Sequence, residues 1–249
     1  METITTHVEV TTRDGRMPTD VFRPAGAASL PAAIFYMDAG GIRPSMTAMA
    51  RRLASNGFVV ALPDLYYRQG KIAPFDFKTV FNGGPERDRL MGLIATLNAD
   101  KVNSDTAGLL AHLDTRPDLT GKAVGATGYC MGGRYALLAA AAFPERFAAV
   151  AAFHASRLAV DQPDSPHRLA DRIRARVYVA PAGIDPGFTP EERARLESAL
   201  TQAKVRHTIE VYEGVHHGYA VPDFPVFDSA AAERHWTRLV ALFRESLPA

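Results

Sequence analysis

Two spacings of apolar residues alternate along the chain. Short unbroken apolar runs, such as Ala32 to Met37 and Phe58 to Leu62, predict strands buried on both faces. Between such runs the apolar positions follow a helical period. Pro44 to Asn56 is predicted as a helix opened by Pro44 and stopped by Gly57. Asn103 to Leu113, the alanine-rich segment ending at Ala142, Pro190 to Ala203 and Ser229 to Ser246 are predicted as further helices. Ala123 to Gly128 reads as a strand feeding directly into the alanine-rich helix. Phe147 to Phe153, Ala175 to Ala180 and His207 to Tyr212 read as three more strands. The start differs. Thr5 to Thr12 alternates with period two, and Asp14-Gly15 turns the chain into a strand near Thr19 to Arg23. Strands regularly separated by helices imply an α/β fold: a mostly parallel central sheet of about eight strands with helices on both faces.

The stretch 66–101 breaks this rhythm with Gly70, Pro74, Gly83, Gly84 and Pro85. It follows the carboxyl end of a predicted strand, where open α/β sheets place their sites. It is expected to cover the site as an excursion within a single domain, 1–249, because no repeat, linker or low-complexity block divides the chain. Lys and Arg number 28 against 27 Asp and Glu, a net charge of +1. Such a balance offers no field to draw nucleic acid or an anionic membrane. The longest apolar run, Tyr135 to Phe143, is far too short to cross a bilayer. Neither a basic nor an apolar leader region opens the sequence, so a soluble cytoplasmic protein is expected. The one cysteine, Cys130, excludes an internal disulfide and a cysteine-based zinc cluster. Neither His-Glu-x-x-His nor a phosphate-binding glycine motif occurs, and no metal or cofactor is expected.

That cysteine lies in Gly128-Tyr129-Cys130-Met131-Gly132-Gly133, between a predicted strand and a predicted helix. This is the nucleophile-elbow pattern, with Cys where Ser is commoner. Small residues two before and two after let backbone close around a sharp turn. The turn points the thiol at a helix N-terminus, which favours the thiolate. The bland alternative is a small buried hydrophobe. An elbow predicts an acid and then a histidine in chain order. Asp185 lies just past the strand ending at Ala180, although an Asp-Pro dipeptide also starts turns. His216 and His217 close the next strand, and residue physics alone leaves both open. The histidine would take the thiol proton and return it to the leaving group, with Asp185 fixing its tautomer. The oxyanion needs two backbone N–H donors. Met131 and, in the loop Asp38-Ala39-Gly40-Gly41, Ala39 are the candidates.

Together these residues resemble the dienelactone hydrolase (carboxymethylenebutenolidase-like) family of the α/β-hydrolase fold. The stretches that carry the resemblance are Met37 to Arg43, Pro63 to Arg68, Gly128 to Gly133, Gly183-Ile184-Asp185 and Tyr212 to Tyr219. The resemblance implies the α/β-hydrolase fold, a Cys130–Asp185–His217 triad, no cofactor and hydrolysis of an enol-lactone ester. The family's pattern in this loop, Gly-x-His-Gly/Ser-Phe, selects His217, followed here by Gly218-Tyr219. A glutamate that contacts the resting thiol is replaced here by Asp38, whose reach is shorter by one C–C bond, about 1.5 Å. Asp38 is thus the candidate for contacting the thiol, with a loop cap as the alternative. The best-known members hold a substrate carboxylate with arginines, one of them four residues beyond the histidine. Val221 stands at that place, leaving Arg43, Arg68 and Arg87 as candidate carboxylate receptors.

Tyr66, Tyr67 and Arg68, which follow Asp64 at a strand end, are candidates to line the substrate pocket, with His154 and Tyr219. For His154 a structural role is the alternative. Ala232, Trp236, Leu239 and Phe243 lie at helical spacing and read as core. The function expected is hydrolysis of small lactones or esters through a thioester on Cys130. The expected partner is that small molecule, with no nucleic acid and no membrane; monomer and homodimer are both open. Acyl transfer by the same nucleophile, or a non-catalytic ligand-binding protein on this scaffold, are the alternatives.

Overall fold

The computed structural model describes residues 2–248. The hairpin comes first: β1 (Thr3–Thr12) pairs antiparallel with β2 (Gly15–Pro24), Thr12 opposite Gly15. β3 (Leu30–Tyr36), α1 (Pro44–Ala54) and β4 (Val59–Pro63) follow. Then come α2 (Pro85–Ala95), α3 (Ala99–Asp114), β5 (Leu119–Tyr129), α4 (Met131–Ala142), β6 (Phe147–Phe153) and β7 (Arg176–Ala180). The chain ends with β8 (Ala182–Ile184), α5 (Pro190–Gln202), β9 (His207–Ile209), β10 (Tyr212–His216) and α6 (Ser229–Ser246).

The main sheet has eight strands in the order β1-β2-β4-β3-β5-β6-β7-β9. β2 meets β4 antiparallel, and from β4 onward every pair is parallel. Strand order reverses between β3 and β5, so the loops leaving these two neighbours open a crevice at their carboxyl ends, where ligands bind in open α/β sheets. Every residue of β4 is buried, as its unbroken apolar run requires. Helices accordingly cover both faces: α1 is tied to α6 through Arg52 and Glu233, and α3 packs on α4. The predicted apolar stripe of α6, Ala232, Trp236, Leu239 and Phe243, is buried. Among the described residues no helix is long and apolar enough to cross a membrane.

Three elements differ from the sequence reading. The irregular stretch 66–101 contains α2, hidden in sequence by the Gly84-Pro85 pair that in fact caps and opens it. α3 begins at Ala99 because the Asn98 side chain accepts the Lys101 N–H as an N-cap. The strand predicted over His207 to Tyr212 is two strands. β9 ends at Ile209 on the sheet edge, and β10 leaves to pair in parallel with β8 as a separate two-stranded sheet. Pro181, which has no N–H to donate, separates β8 from β7.

Candidate active site

β5 and α4 meet at Cys130 with no intervening loop. Cys130 has φ 55° and ψ −121°, a conformation L side chains rarely adopt. Its neighbours hold it there. Cys130 N–H donates to the Phe153 carbonyl at 3.1 Å, and Gly133 N–H to the Cys130 carbonyl at 3.1 Å. A Cβ on Gly128 would stand 2.2 Å from the Gly132 carbonyl carbon, and one on Gly132 only 2.4 Å from the Met37 carbonyl oxygen. The glycines of the elbow are therefore steric requirements. The thiol sits, partly exposed, at the N-terminus of α4. There the helix dipole and free N–H groups favour an anion.

The acid and the histidine come from the small sheet. β8 and β10 run parallel with Ile184 opposite His216, so the residues next in line, Asp185 and His217, emerge side by side. His217 Nδ1 lies 2.7 Å from Asp185 Oδ2, and Asp185 Oδ1 accepts the Gly187 N–H at 2.8 Å. An ionised carboxylate only accepts, so this network assigns the proton to Nδ1 and leaves Nε2 for the thiol. Burial alone would lower the His217 pKa. The Cys130 charge and the Asp185 hydrogen bond outweigh it and push the value up to about 10. His216, one residue earlier on the strand, is exposed, so the fold separates the two histidines. Ser156, just past the end of β6, places its Oγ 3.5 Å from Nδ1. Sequence reading passed over it, although a position shortly after a strand was the signal available.

The loop after β3 supplies the second wall. Ala39 N–H donates to no described backbone partner, and Met131 N–H, first in its helix, has no intrahelical acceptor. The Ala39 carbonyl accepts the Tyr66 hydroxyl at 3.1 Å, and that hydroxyl is also 3.5 Å from Met131 Sδ. Tyr66 thus packs between the two candidate oxyanion donors.

Asp38 departs from the contact expected of it. Its fully buried carboxylate accepts Arg43 Nη1 at 2.6 Å, Arg43 Nη2 at 2.8 Å and Gly40 N–H at 2.8 Å. Among the described residues no hydrogen bond joins it to Cys130. A carboxylate at this depth needs a cation, and Arg43 provides it.

Two pocket candidates turn elsewhere. The Tyr67 hydroxyl meets Thr12 and Asp105, and Arg68 pairs with Asp14 and Asp105. Asp105 on α3 is 1% exposed, and its demand for a cation outweighs any call from the site. Arg87 is exposed on α2. Tyr219 is buried behind the histidine, its hydroxyl donating to the Ala180 carbonyl at 3.2 Å and its ring stacked on Tyr212. His154 is also buried, with φ 37° and its ring edge-on to His217 at 5.1 Å. Burial, aided by the neighbouring His217, holds its pKa well below the usual value, so it stays neutral. A cavity of about 570 Å³ lies beside the loop after β3, lined by Gly40, Arg43, Tyr66, Lys71, Phe77 and Asp223 among others; neither Cys130 nor His217 lines it.

The dienelactone hydrolase family model matches residues 17–247. A carboxymethylenebutenolidase of Rhodococcus opacus is 29% identical over 220 residues, covering 86% of this chain and 81% of its own. A dienelactone hydrolase-like promiscuous phosphotriesterase from metagenomic libraries superposes with TM-score 0.81 at 22% identity, over 100% of both chains. The dienelactone hydrolase of Anabaena variabilis does so with TM-score 0.72 at 20% identity, again over 100% of both. At these identities the structural likenesses speak for the fold. A family match running over nearly the whole chain places this protein in the dienelactone hydrolase family of α/β-hydrolases, and it is a carboxylic ester hydrolase.

Proposed function

We propose that this protein opens small lactones or cleaves small esters by attack of the Cys130 thiolate, through a thioester acyl-enzyme. The observation that carries the reading is His217, held by Asp185 on Nδ1 at 2.7 Å and raised in pKa by the charge of the neighbouring Cys130. Asp185 fixes the tautomer and stabilises the imidazolium. The thiolate sulfur bonds to the carbonyl carbon, whose oxygen takes the charge and is met by the N–H groups of Ala39 and Met131. As the C–O bond to the leaving group breaks, the imidazolium gives its proton to the departing oxygen. In a lactone that oxygen stays attached to the acyl group. Water then attacks the thioester, His217 takes its proton, and thiolate leaves with the carboxylic acid formed.

The test is a panel of small lactones and aryl esters turned over by the wild type and by Cys130→Ala, with quenched samples weighed by intact-protein mass spectrometry. Wild-type turnover with a mass gain of one acyl group, and a loss of about 10³-fold or more in the variant, supports the reading. Equal rates in both proteins remove Cys130 from the chemistry.

A further inference from the structure

The Arg43 side chain is only 11% exposed, and its planar head carries five N–H donors. All five are spent. Nη1 and Nη2 form an end-on fork with the two Asp38 oxygens at 2.6 and 2.8 Å. Nε and Nη2 form a second fork, side-on, with the two Asp223 oxygens at 2.7 and 3.1 Å. The remaining Nη1 hydrogen goes to the Gly41 carbonyl at 3.2 Å. The face of the guanidinium is taken as well, with the Phe77 ring centroid at 4.5 Å and that of Phe224 at 5.4 Å.

These partners belong to three separate stretches of chain. Asp38 and Gly41 flank Ala39, the candidate oxyanion donor. Asp223 ends the loop behind His217, where Tyr219 N–H bonds to the His216 carbonyl, Val221 N–H to Gly218 and Phe224 N–H to Val221. These turns lie along the short segment that links Asp223 to His217. Phe77 comes from the covering stretch and lies on Gly40, where a Cβ would meet its ring at 2.4 Å.

We propose that Arg43 is a positioning residue that locks the loop of the oxyanion donor to the loop behind the catalytic histidine, and is not a receptor for a substrate carboxylate. The proposal rests on the hydrolase reading above for its kinetics but not for its geometry. Two carboxylates and one guanidinium leave the trio one negative charge in excess. A further carboxylate would meet repulsion and no free donor.

The proposal is tested with Arg43→Gln, Arg43→Lys and Asp223→Asn on two aryl esters of matched acyl length, p-nitrophenyl butyrate and mono-p-nitrophenyl succinate. A misplacement of about 1 Å at a reacting centre costs on the order of 100-fold, so Arg43→Gln should lower kcat by roughly 10- to 100-fold on the neutral ester, with KM within about threefold. Arg43→Lys should do the same, since an ammonium cannot fork to two carboxylates. Asp223→Asn keeps the Asp38 fork and should show a smaller loss of the same kind; it carries the kinetics if the Arg43 variants do not fold. Hydrogen exchange read by mass spectrometry supplies a measure free of turnover. In Asp223→Asn, peptides covering 38–43 and 217–224 should both exchange faster. An unchanged kcat on the neutral ester overturns the proposal. So does a loss confined to the KM of the anionic ester, or faster exchange in one loop alone. If the wild type cleaves neither ester and the other substrates fail as well, the hydrolase reading falls, and the exchange result still decides the role of Arg43.

Discussion

Replacing Gly132 by alanine tests whether the elbow is held by steric contact with the neighbouring strand. The new Cβ would stand 2.4 Å from the Met37 carbonyl oxygen and 2.5 Å from that of Tyr36. Both are backbone atoms of the β3 end, with no rotamer to swing aside. Relief to the 3.4 Å of ordinary contact needs 3.4 minus 2.4, about 1 Å of movement. Either α4 retreats and carries Cys130 with it, or the β3 end yields and carries Ala39, two residues further on. Each displaces one half of the site against the other. A shift of that size costs about 100-fold in rate, and the overpacking about 1–3 kcal/mol in stability. Gly92→Ala is the control: it lies on α2, away from the site, with nothing within 4 Å of the new methyl group. It should gain up to about 1 kcal/mol of helix stability with unchanged kcat. The assay is kcat on an aryl ester, with urea midpoints for both variants. A Gly132→Ala enzyme whose kcat stays within about threefold of wild type would refute the reasoning.

Two further outcomes are expected. With His217 held up to about 10, the ring keeps its proton through neutral pH and loses it above that value. The acid that protonates the leaving group then disappears, so kcat/KM should fall as pH rises through about 10; a single break near the ordinary histidine value instead would contradict the raised value of His217. Arg68→Met should strip the buried Asp105 of its cation and cost about 3–5 kcal/mol by urea denaturation, with kcat within about twofold. A selective loss of kcat there would return Arg68 to the pocket.

The elbow was legible in sequence because its signal is local: a strand, a thiol between small residues, and a helix. Asp185 was legible for a similar reason, from its place just beyond a strand. The choice of His217 over His216 was not, since both stand in one loop by composition. It came from the resemblance, and the physical ground appears only in the register of β8 and β10. Those strands were themselves obscured because each is short and pairs outside the main sheet. The destinations of Tyr67, Arg68 and Asp38 were illegible for a shared reason. Each answers to a buried charge or its partner, and such pairing depends on tertiary placement: Arg68 meets Asp105 from another element, and Arg43 meets Asp223 from the far end of the chain. Local pattern says that a carboxylate near a strand end has work to do. It does not say which cation reaches it first.

The two halves of the site are supported differently, and this bears on what the fold guarantees. The thiol and the candidate oxyanion donors stand just past the carboxyl ends of β3 and β5, adjacent strands at the reversal of strand order in the main sheet. Their relative position is fixed by the core itself. Asp185 and His217 stand on β8 and β10, a two-stranded unit whose register shifts between Tyr212 and His216 and which Pro181 separates from β7. Its backbone pairing sets the histidine against the acid, but only side chains set the pair against the thiol. His154 lies edge-on against the histidine, and Tyr219 lies edge-on against His154 in turn. Arg43 ties its loop to the oxyanion loop in front. A sheet folded correctly thus yields the elbow as a consequence, whereas the candidate triad is brought together only when these tertiary contacts are also made.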